Sequence, residues 1–224
     1  MLSGASSLNP SRYLYIDLVD EITQVQFIGA VERISENSLL PVLEAPLKDR
    51  PFVIRGFHSD NGSEYINKRV ATLLAKLRIQ EFAKSRARRT NDDALVESKN
   101  GSMARKHFGY AHIPSRFATK VNAFTQQILS PYLDFHRPCF FPIEVINAKG
   151  RIRKRYPCER MMTPCDKLKS LPEAEQYLKT GVAFEQLGAI AYAISDNDAA
   201  HHLNQARAEL FMYVLINNSQ KSVA

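Results

Sequence analysis

Residues 56–100 decide how the rest of this sequence is interpreted. The segment begins Gly-Phe-His-Ser-Asp-Asn-Gly-Ser-Glu-Tyr at 56–65 and ends Thr-Asn-Asp-Asp-Ala-Leu-Val-Glu-Ser-Lys-Asn at 90–100. The apolar run Pro-Phe-Val-Ile at 51–54 precedes it and is typical of a buried strand. Asn61-Gly62 is a turn signal of the kind that ends such a strand. Asp60 is therefore predicted at the tip of a strand.

A second carboxylate, Glu97, is predicted on a helix. Asn91 is a good helix N-cap, and Asp92 and Asp93 suit the positive end of a helix, so Glu97 lies about one turn inside it. Oxygen ligands for a hard divalent cation often converge from separate elements in this way, and two such ions can promote phosphoryl transfer. The alternative is a turn aspartate and a solvated helix glutamate without function, which is the usual state of such residues.

The segments around both carboxylates resemble the second Asp and the Glu of retroviral-integrase-type transposases of bacterial insertion sequences. The resemblance is carried by Ser-Asp-Asn-Gly-Ser-Glu-Tyr-Ile-Asn at 59–67 and Ser-Arg-Ala-Arg-Arg-Thr-Asn-Asp-Asp-Ala-Leu-Val-Glu-Ser-Lys-Asn at 85–100. Three further segments resemble elements of the same family: Val-Asp-Glu-Ile-Thr-Gln at 19–24, Tyr-Leu-Asp-Phe-His-Arg-Pro at 132–138 and Met-Thr-Pro-Cys-Asp-Lys-Leu at 162–168. The similarity extends roughly from Tyr13 to Leu168.

This resemblance implies an α/β fold: a ribonuclease-H-like mixed sheet flanked by helices, followed by a basic β-hairpin and a helical extension. It also implies a DDE triad that binds two Mg²⁺ or Mn²⁺ ions, with Asp60 and Glu97 as two of the ligands. The implied chemistry is hydrolytic nicking at transposon ends and transfer of the freed 3′-hydroxyl into target DNA. The implied partners are transposon-end DNA, target DNA and further copies of the chain in a homo-oligomer, in a bacterial cytoplasm and associated with the nucleoid.

The third carboxylate of the triad has two interpretations. In the first, residues 19–23 correspond to the family's second strand, and residues 1–12 contain no Asp or Glu, so the first strand is missing. In the second, residues 13–20 are the first strand and Asp17 is the first ligand. In the first interpretation only two carboxylates of the triad remain, and a competent two-metal site is then not expected. The resemblance then implies an amino-terminally truncated transposase. The alternative function is that of a non-catalytic DNA-binding or oligomerising remnant of a transposase. A metal-dependent nuclease is a third option.

Composition favours a polyanionic partner. The 224 residues carry a net charge of +7 and have a pI near 9.3, as nucleic-acid-binding proteins often do. No apolar run approaches the roughly 18 residues of a membrane-spanning helix, so no membrane partner is expected. Cys139, Cys158 and Cys165 are an odd number in a chain without an export signal, which indicates reduced thiols in the cytoplasm. Their spacing does not match a structural zinc site.

The chain divides into four predicted segments: a mobile tail at 1–12, an integrase-like catalytic core at 13–130, a proline-rich basic hairpin segment at 131–170 and a helical tail at 171–224. Strands alternating with helices indicate an α/β layered core. Strands are predicted at 13–20, 24–34, 51–59 and 79–83. Helices are predicted at 67–77, 91–109, 115–129, 172–179 and 184–194, from Ser35 to about Glu44, where Pro46 ends or bends the helix, and from Asp196 or Asp198 onward.

The basic residues form the predicted DNA-contacting surface. Residues 144–156 are predicted as a hairpin that turns at Lys149-Gly150, and its second arm is strongly basic. That arm carries Arg151, Arg153, Lys154 and Arg155. These cations would neutralise phosphates, and the alternative is an edge strand kept soluble by its charge. Further candidates for phosphate contact lie around Glu97: Arg86, Arg88, Arg89, Lys99, Arg105 and Lys106.

The last predicted helix carries an apolar stripe without any chemical motif. Its members recur at helical spacing: Ala199, Leu203, Ala206, Leu210 and Val214. A stripe of this kind packs either on the core of its own chain or on a partner protomer.

Overall fold

The computed structural model describes residues 14–20, 22–33, 35–53, 56–59, 72, 75, 81–84, 103–109, 113–147 and 150–219. Over these residues the protein is a mixed α/β structure of small two-stranded sheets and several helices, in agreement with the predicted class. The predicted tail at 1–12 and most of the predicted helices at 67–77 and 91–109 lie outside them. None of the described helices combines the length and the apolarity that crossing a membrane requires.

In chain order, the elements are β1 (Leu14–Val19), β2 (Gln26–Val31), α1 (Glu36–Asp49), β3 (Gly56–Ser59), β4 (Glu81–Lys84), α2 (residues 103–108), α3 (Ala118–Phe124), β5 (Cys139–Phe140), β6 (Ile143–Ile146), β7 (Ile152–Arg155), β8 (Met161–Met162), α4 (Pro164–Lys169), α5 (Phe184–Ala191) and α6 (Asp196–Ser219).

The first two strands form the predicted antiparallel pair. The carboxylate of Asp20, directly after β1, accepts hydrogen bonds from the Thr23 backbone N–H at 2.7 Å and from the Thr23 hydroxyl at 2.5 Å. These bonds fold the segment into the connection between the strands. Val19 is the last residue of β1, and Ile22 and Thr23 lie in the turn. The correspondence of residues 19–23 to the family's second strand stays a prediction.

β2 lies between α1 and α3, and each of its residues is buried. α1 covers one face at Gly29, where a β-carbon would lie only 2.5 Å from Cγ1 of Val42. α3 contacts the same strand, and Ile28 and Ala30 belong to the core cluster that includes Val121 of α3. Burial of a strand between helical layers is the arrangement expected of an α/β core.

α1 begins as predicted but ends later. The Ser35 hydroxyl accepts a hydrogen bond from the Ser38 N–H at 3.4 Å, and Ser35 is the N-cap. The helix then continues through Pro46 to Asp49, so the predicted end near Glu44 is wrong. Pro46 is itself buried, beside the buried Leu47, and this packing stabilises a turn that proline would otherwise end.

Side chains close the edge of β2 that faces away from β1. Asn122 accepts a hydrogen bond from the Ala30 N–H at 2.7 Å and donates one to the Ala30 carbonyl oxygen at 2.9 Å. Farther along the strand, Asp134 accepts from the Gln26 N–H at 3.2 Å, and Arg50 donates to the Gln26 carbonyl oxygen at 2.9 Å. These contacts satisfy buried backbone groups that would otherwise be costly.

β3 and β4 pair in parallel, with Gly56 opposite Glu81. A parallel pair needs a crossover connection, and Thr72 and Ala75 within that connection are helical. β4 matches the strand predicted at 79–83 to within two residues at its start.

Residues of the strand predicted at 51–59 pair with two different segments of the chain. Only β3 joins the parallel pair, whereas the Val53 N–H donates to the Tyr177 carbonyl oxygen at 2.7 Å and the Lys179 N–H donates to the Pro51 carbonyl oxygen at 2.9 Å. This pairing keeps Leu178, directly after Tyr177, extended. The helix predicted at 172–179 is therefore wrong except for the 3₁₀ turn Ala174–Tyr177.

The helix predicted at 115–129 is confirmed and extends farther. A 3₁₀ turn at Ser115–Phe117 leads into α3, and the chain stays helical through wider π-helical turns at Thr125–Leu129 and Tyr132–His136. Pro131 lies between these turns and has no N–H to donate, so the wider turns accommodate it without ending the helix. Phe117, Val121 and Phe124 lie at i, i+4 and i+7 and form a buried apolar stripe on this helix.

α6 packs on the core of its own chain. Its residues Leu203, Leu210 and Val214 are buried in the same cluster as Val121 of α3, and Ala206 is partly buried against it. Of the two interpretations of this stripe, packing on the same chain is therefore the one observed.

Candidate nucleic-acid interface

The hairpin of β6 and β7, together with its turn, forms the candidate interface and is called the ribbon (residues 143–155). Its strands are antiparallel, with Glu144 opposite Lys154 and Ile146 opposite Ile152. Gly150 has a φ of 70°, a backbone conformation that glycine adopts without steric cost. The predicted hairpin is confirmed, with Gly150 beyond the end of β6, whereas Lys149 lies outside the described residues.

The two strands of the ribbon are exposed on both faces. All residues of β7 and the preceding Arg151 are exposed, and in β6 only Val145 is half-buried. The two strands contact each other far more than they contact any other described element. DNA-binding proteins place two-stranded ribbons of this kind in the major or the minor groove of DNA.

The positive charge of the ribbon lies on its second arm. Arg153 and Arg155 are on one face, about 7 Å apart along the strand, because residues two positions apart point the same way. Lys154 is on the other face, where Glu144 is its cross-strand neighbour. Neither these three residues nor Arg151 forms an ion pair with another described residue. Their charge is therefore available for phosphates.

Two of the six basic residues predicted around Glu97 are described. Arg105 and Lys106 lie on the exposed side of α2, whose other side buries Met103 and Phe108. The helix ends as predicted at Gly109, which has a φ of 66° and whose N–H donates to the Arg105 carbonyl oxygen at 2.8 Å. The other four lie outside the described residues: Arg86, Arg88, Arg89 and Lys99.

His107, between Lys106 and Phe108, is buried and was not singled out by any sequence pattern. Neither ring nitrogen has a hydrogen-bond partner within the described part of the chain. Burial, together with the smaller effect of the nearby cations Lys106, Arg207 and Arg137, lowers the pKa of His107 to about 4. The imidazole is therefore neutral at neutral pH.

The predicted metal ligands Asp60 and Glu97 lie outside the described residues. β3 ends at Ser59, directly before Asp60. Asp17 belongs to β1, with its Cα opposite that of Ile28. Within the described ranges, no three His, Cys, Asp or Glu side chains are grouped as a metal ion requires. The two-ion Mg²⁺ or Mn²⁺ site stays a prediction.

Two segments singled out by the family resemblance have structural roles that sequence reasoning missed. In the first segment, residues 132–138, Asp134 closes the edge of β2. In the same segment, Nδ1 of the buried His136 lies 3.0 Å from Oδ1 of Asp196 at the start of α6. The Thr163 hydroxyl accepts a hydrogen bond from the Asp166 N–H at 3.1 Å and caps α4. The three-residue spacing of Thr163 and Asp166 is a sequence signal for a helix cap, whereas no sequence spacing indicates the long-range contacts of Asp134.

No model of a known protein family matches the chain. A stretch of 106 residues, which is 47% of the chain, is 33% identical to part of a Sinorhizobium fredii protein named Uncharacterized protein y4rM. The matched stretch spans 30% of the length of that relative. This similarity indicates common ancestry over about half of the chain and assigns no activity to it.

Proposed function

We propose that this chain binds DNA and acts in DNA transposition or integration, as a strand transferase of the DDE transposase type with a ribonuclease-H-like fold. The observation that carries the DNA-binding part is the ribbon. It presents Arg151, Arg153, Lys154 and Arg155 on a two-stranded unit exposed on both faces. Ribbons enter DNA grooves, and cations that neutralise phosphates dominate affinity for DNA.

The order of elements supports the fold part of the proposal. A ribonuclease-H-like sheet is mixed, and this chain has an antiparallel pair, then a helix, then a parallel pair joined by a crossover. The side-chain contacts along the outer edge of β2 leave β1 as the edge at which this small sheet can grow. Asp17 is in that strand.

The catalytic part rests on the resemblance around Asp60 and Glu97. In the sequence, Asp60 directly follows Ser59, the last residue of β3 in the parallel pair, and this position supports its predicted role as a ligand. When bound, two Mg²⁺ or Mn²⁺ ions would polarise the attacking and leaving oxygens of the transferred phosphate. The residues of this chain would hold the ions and the DNA backbone in place.

A second candidate function is a non-catalytic, oligomerising DNA-binding chain, and one observation favours it. The outer face of α6 exposes Met212, Leu215 and Ile216, which are 56%, 60% and 54% exposed and lie at helical spacing. An exposed apolar stripe of this kind is typical of a protein interface. A homo-oligomer through α6 is compatible with either candidate.

One assay separates the candidates. The purified full chain is incubated with a supercoiled plasmid and a labelled duplex that has a free 3′-hydroxyl, with Mg²⁺ or Mn²⁺. Asp60→Asn, Glu97→Gln and Asp17→Asn are compared with Glu159→Gln, a control that removes an exposed carboxylate on the 158–160 turn. The strand-transfer proposal predicts metal-dependent joining of the duplex to the plasmid. Joining is lost in Asp60→Asn and Glu97→Gln and kept in Glu159→Gln.

Each other outcome favours a different function. Nicking without joining would indicate a nuclease, and loss of activity in Asp17→Asn would assign the third ligand to β1. DNA binding without nicking would support the non-catalytic candidate. A chain that neither binds nor cuts DNA would contradict the proposal as a whole.

A further inference from the structure

We infer that Ile146 and Ile152 form an apolar wedge that enters between two stacked base pairs when the ribbon lies in a DNA groove. The inference rests on the proposed DNA binding and gives a role to residues that the charge argument does not use. The two isoleucines lie directly opposite each other in the ribbon. Their side chains are 71% and 63% exposed.

The wedge lies at the end of the ribbon, beside a turn that is fixed by hydrogen bonds. The Asn147 N–H donates to the Arg151 carbonyl oxygen at 3.0 Å, and the Gly150 N–H donates to the Asn147 carbonyl oxygen at 2.9 Å. The Arg151 N–H donates to Oδ1 of Asn147 at 2.9 Å. Because these bonds close the turn, they hold the two strands together where the isoleucine pair lies. An inserting group must be held rigidly in this way to separate stacked bases.

The charges of the ribbon flank the isoleucine pair. Ile152 stands between Arg151 and Arg153 in the sequence, and Lys154 follows it on the same face. An apolar group with cations on both sides matches the chemistry of an unstacked base step, where apolar base faces lie between two phosphate backbones. Isoleucine is one of the side chains that minor-groove proteins insert in this manner.

The charge pattern favours DNA over a protein as the occupant. An apolar protein surface would also accept two isoleucines, but it would not compensate four adjacent cations that lack ion-pair partners among the described residues. A polyanion compensates them and offers an apolar gap once its bases separate. The geometry therefore assigns the ribbon tip to duplex DNA that is bent at the point of contact.

The test uses the full chain and a duplex of about 30 base pairs with a central TA step, which unstacks easily. 2-Aminopurine at that step reports unstacking, and dyes at the duplex ends report bending. The variant is Ile146→Thr/Ile152→Thr, because threonine keeps the β-branched shape and loses the apolar tip. The matched control is Ile143→Thr, which changes the same residue type on the opposite face of the same strand.

The wild type and Ile143→Thr are expected to raise the 2-aminopurine fluorescence and to bend the duplex by about 20–90°. Ile146→Thr/Ile152→Thr is expected to lose both signals, while its affinity for the duplex stays within about tenfold because phosphate contacts dominate binding. Binding of the wild type without unstacking, or unchanged bending by the double variant, would overturn the wedge and leave DNA binding intact. A double variant that changes only the oligomeric state would place the pair in a protein interface and also overturn it. Absence of DNA binding by the wild type would contradict the proposed function itself.

Discussion

Arg50 and Asp134, 84 positions apart in the sequence, form an ion pair that closes the outer edge of β2. The two side chains also bind the backbone of the same residue: Asp134 accepts from the Gln26 N–H, and Arg50 donates to the Gln26 carbonyl oxygen. Together they supply the donor and the acceptor that a neighbouring strand would supply. Burial raises the pKa of the Asp134 carboxyl, and the Arg50 guanidinium opposes that effect.

Replacing Arg50 by Met is expected to lower the free energy of unfolding by about 3–5 kcal/mol, because it leaves the buried Asp134 carboxylate without its cation. Asp134→Asn, which removes the charge but keeps the shape, is expected to cost less. Urea denaturation measures both, with Lys48→Met as the control for an exposed cation on α1. A loss in Arg50→Met no greater than in Lys48→Met would contradict this account of the edge.

Asn122→Leu tests the other contact on the same edge. The substitution leaves the Ala30 N–H and carbonyl oxygen without their partner in a buried position, at an expected cost of about 2–4 kcal/mol for the two groups. Asn217→Leu is the matched control, since Asn217 is half-buried and makes a solvent-exposed hydrogen bond to the Tyr213 carbonyl oxygen of its own helix. Equal losses in the two variants, by thermal or urea unfolding, would show that Asn122 contributes no more than a surface amide.

Short sequence patterns correctly predicted the elements that depend on interactions between residues close in the sequence. The hairpin of β1 and β2, the N-cap at Ser35, the α3 stripe and the turn at Gly150 follow from spacing and turn chemistry. Wrong predictions occur where distant backbone segments pair, as between 51–53 and 177–179, or where burial keeps Pro46 inside a helix. Such contacts depend on tertiary packing, which no short window of sequence contains.

Gly29→Ala tests the packing of α1 on β2. A β-carbon at this position would lie 2.5 Å from Val42 Cγ1 and 3.0 Å from the Phe27 ring, so the Val42 side chain or α1 itself must shift. Overpacking of this kind is expected to cost about 1–3 kcal/mol. Val42→Ala in the same chain removes the clashing methyl group and is expected to recover part of the loss. If the double variant is destabilised by the sum of the two single effects, the two residues do not interact as described.

The stability of the fold is expected to fall in mild acid because of His107. Its pKa in the folded chain is about 4, below the usual value of 6.5, so the folded state binds fewer protons than the unfolded state between these values. Stability is therefore complete above about pH 6.5 and is lost as the pH falls toward 4, by at most about 3 kcal/mol. His107→Leu is expected to flatten this part of the profile, whereas the exposed His201→Leu keeps it. A profile for His107→Leu that still falls like the wild type would assign the acid sensitivity to other groups.

The sequence likewise predicted one part of the candidate site and missed another. A run of basic residues beside a turn signal was sufficient to predict the ribbon and its four cations. The exposed pairing of Ile146 with Ile152 was not predicted, because exposure of a β-branched residue on a strand depends on what packs against it. His107 was missed for the same reason: its burial results from packing between α2 and residues distant in the sequence.

The central claim is that the ribbon binds the DNA backbone, and the salt dependence of duplex binding tests it most directly. Each phosphate that a cation neutralises contributes about 0.9 to the slope of log affinity against log salt. The variant replaces four cations by glutamine: Arg151, Arg153, Lys154 and Arg155. The charge-matched control replaces four exposed cations elsewhere: Arg33, Lys48, Arg160 and Lys169.

Fluorescence anisotropy of a labelled duplex over a range of salt concentrations gives the slope for the wild type, the ribbon variant and the control. The account predicts that the wild type binds with a steep slope, that the ribbon variant has a slope shallower by about 3–4, and that the control stays within about 1 of the wild type. Equal slopes for the ribbon variant and the control would contradict it, because the affinity would then come from net charge alone.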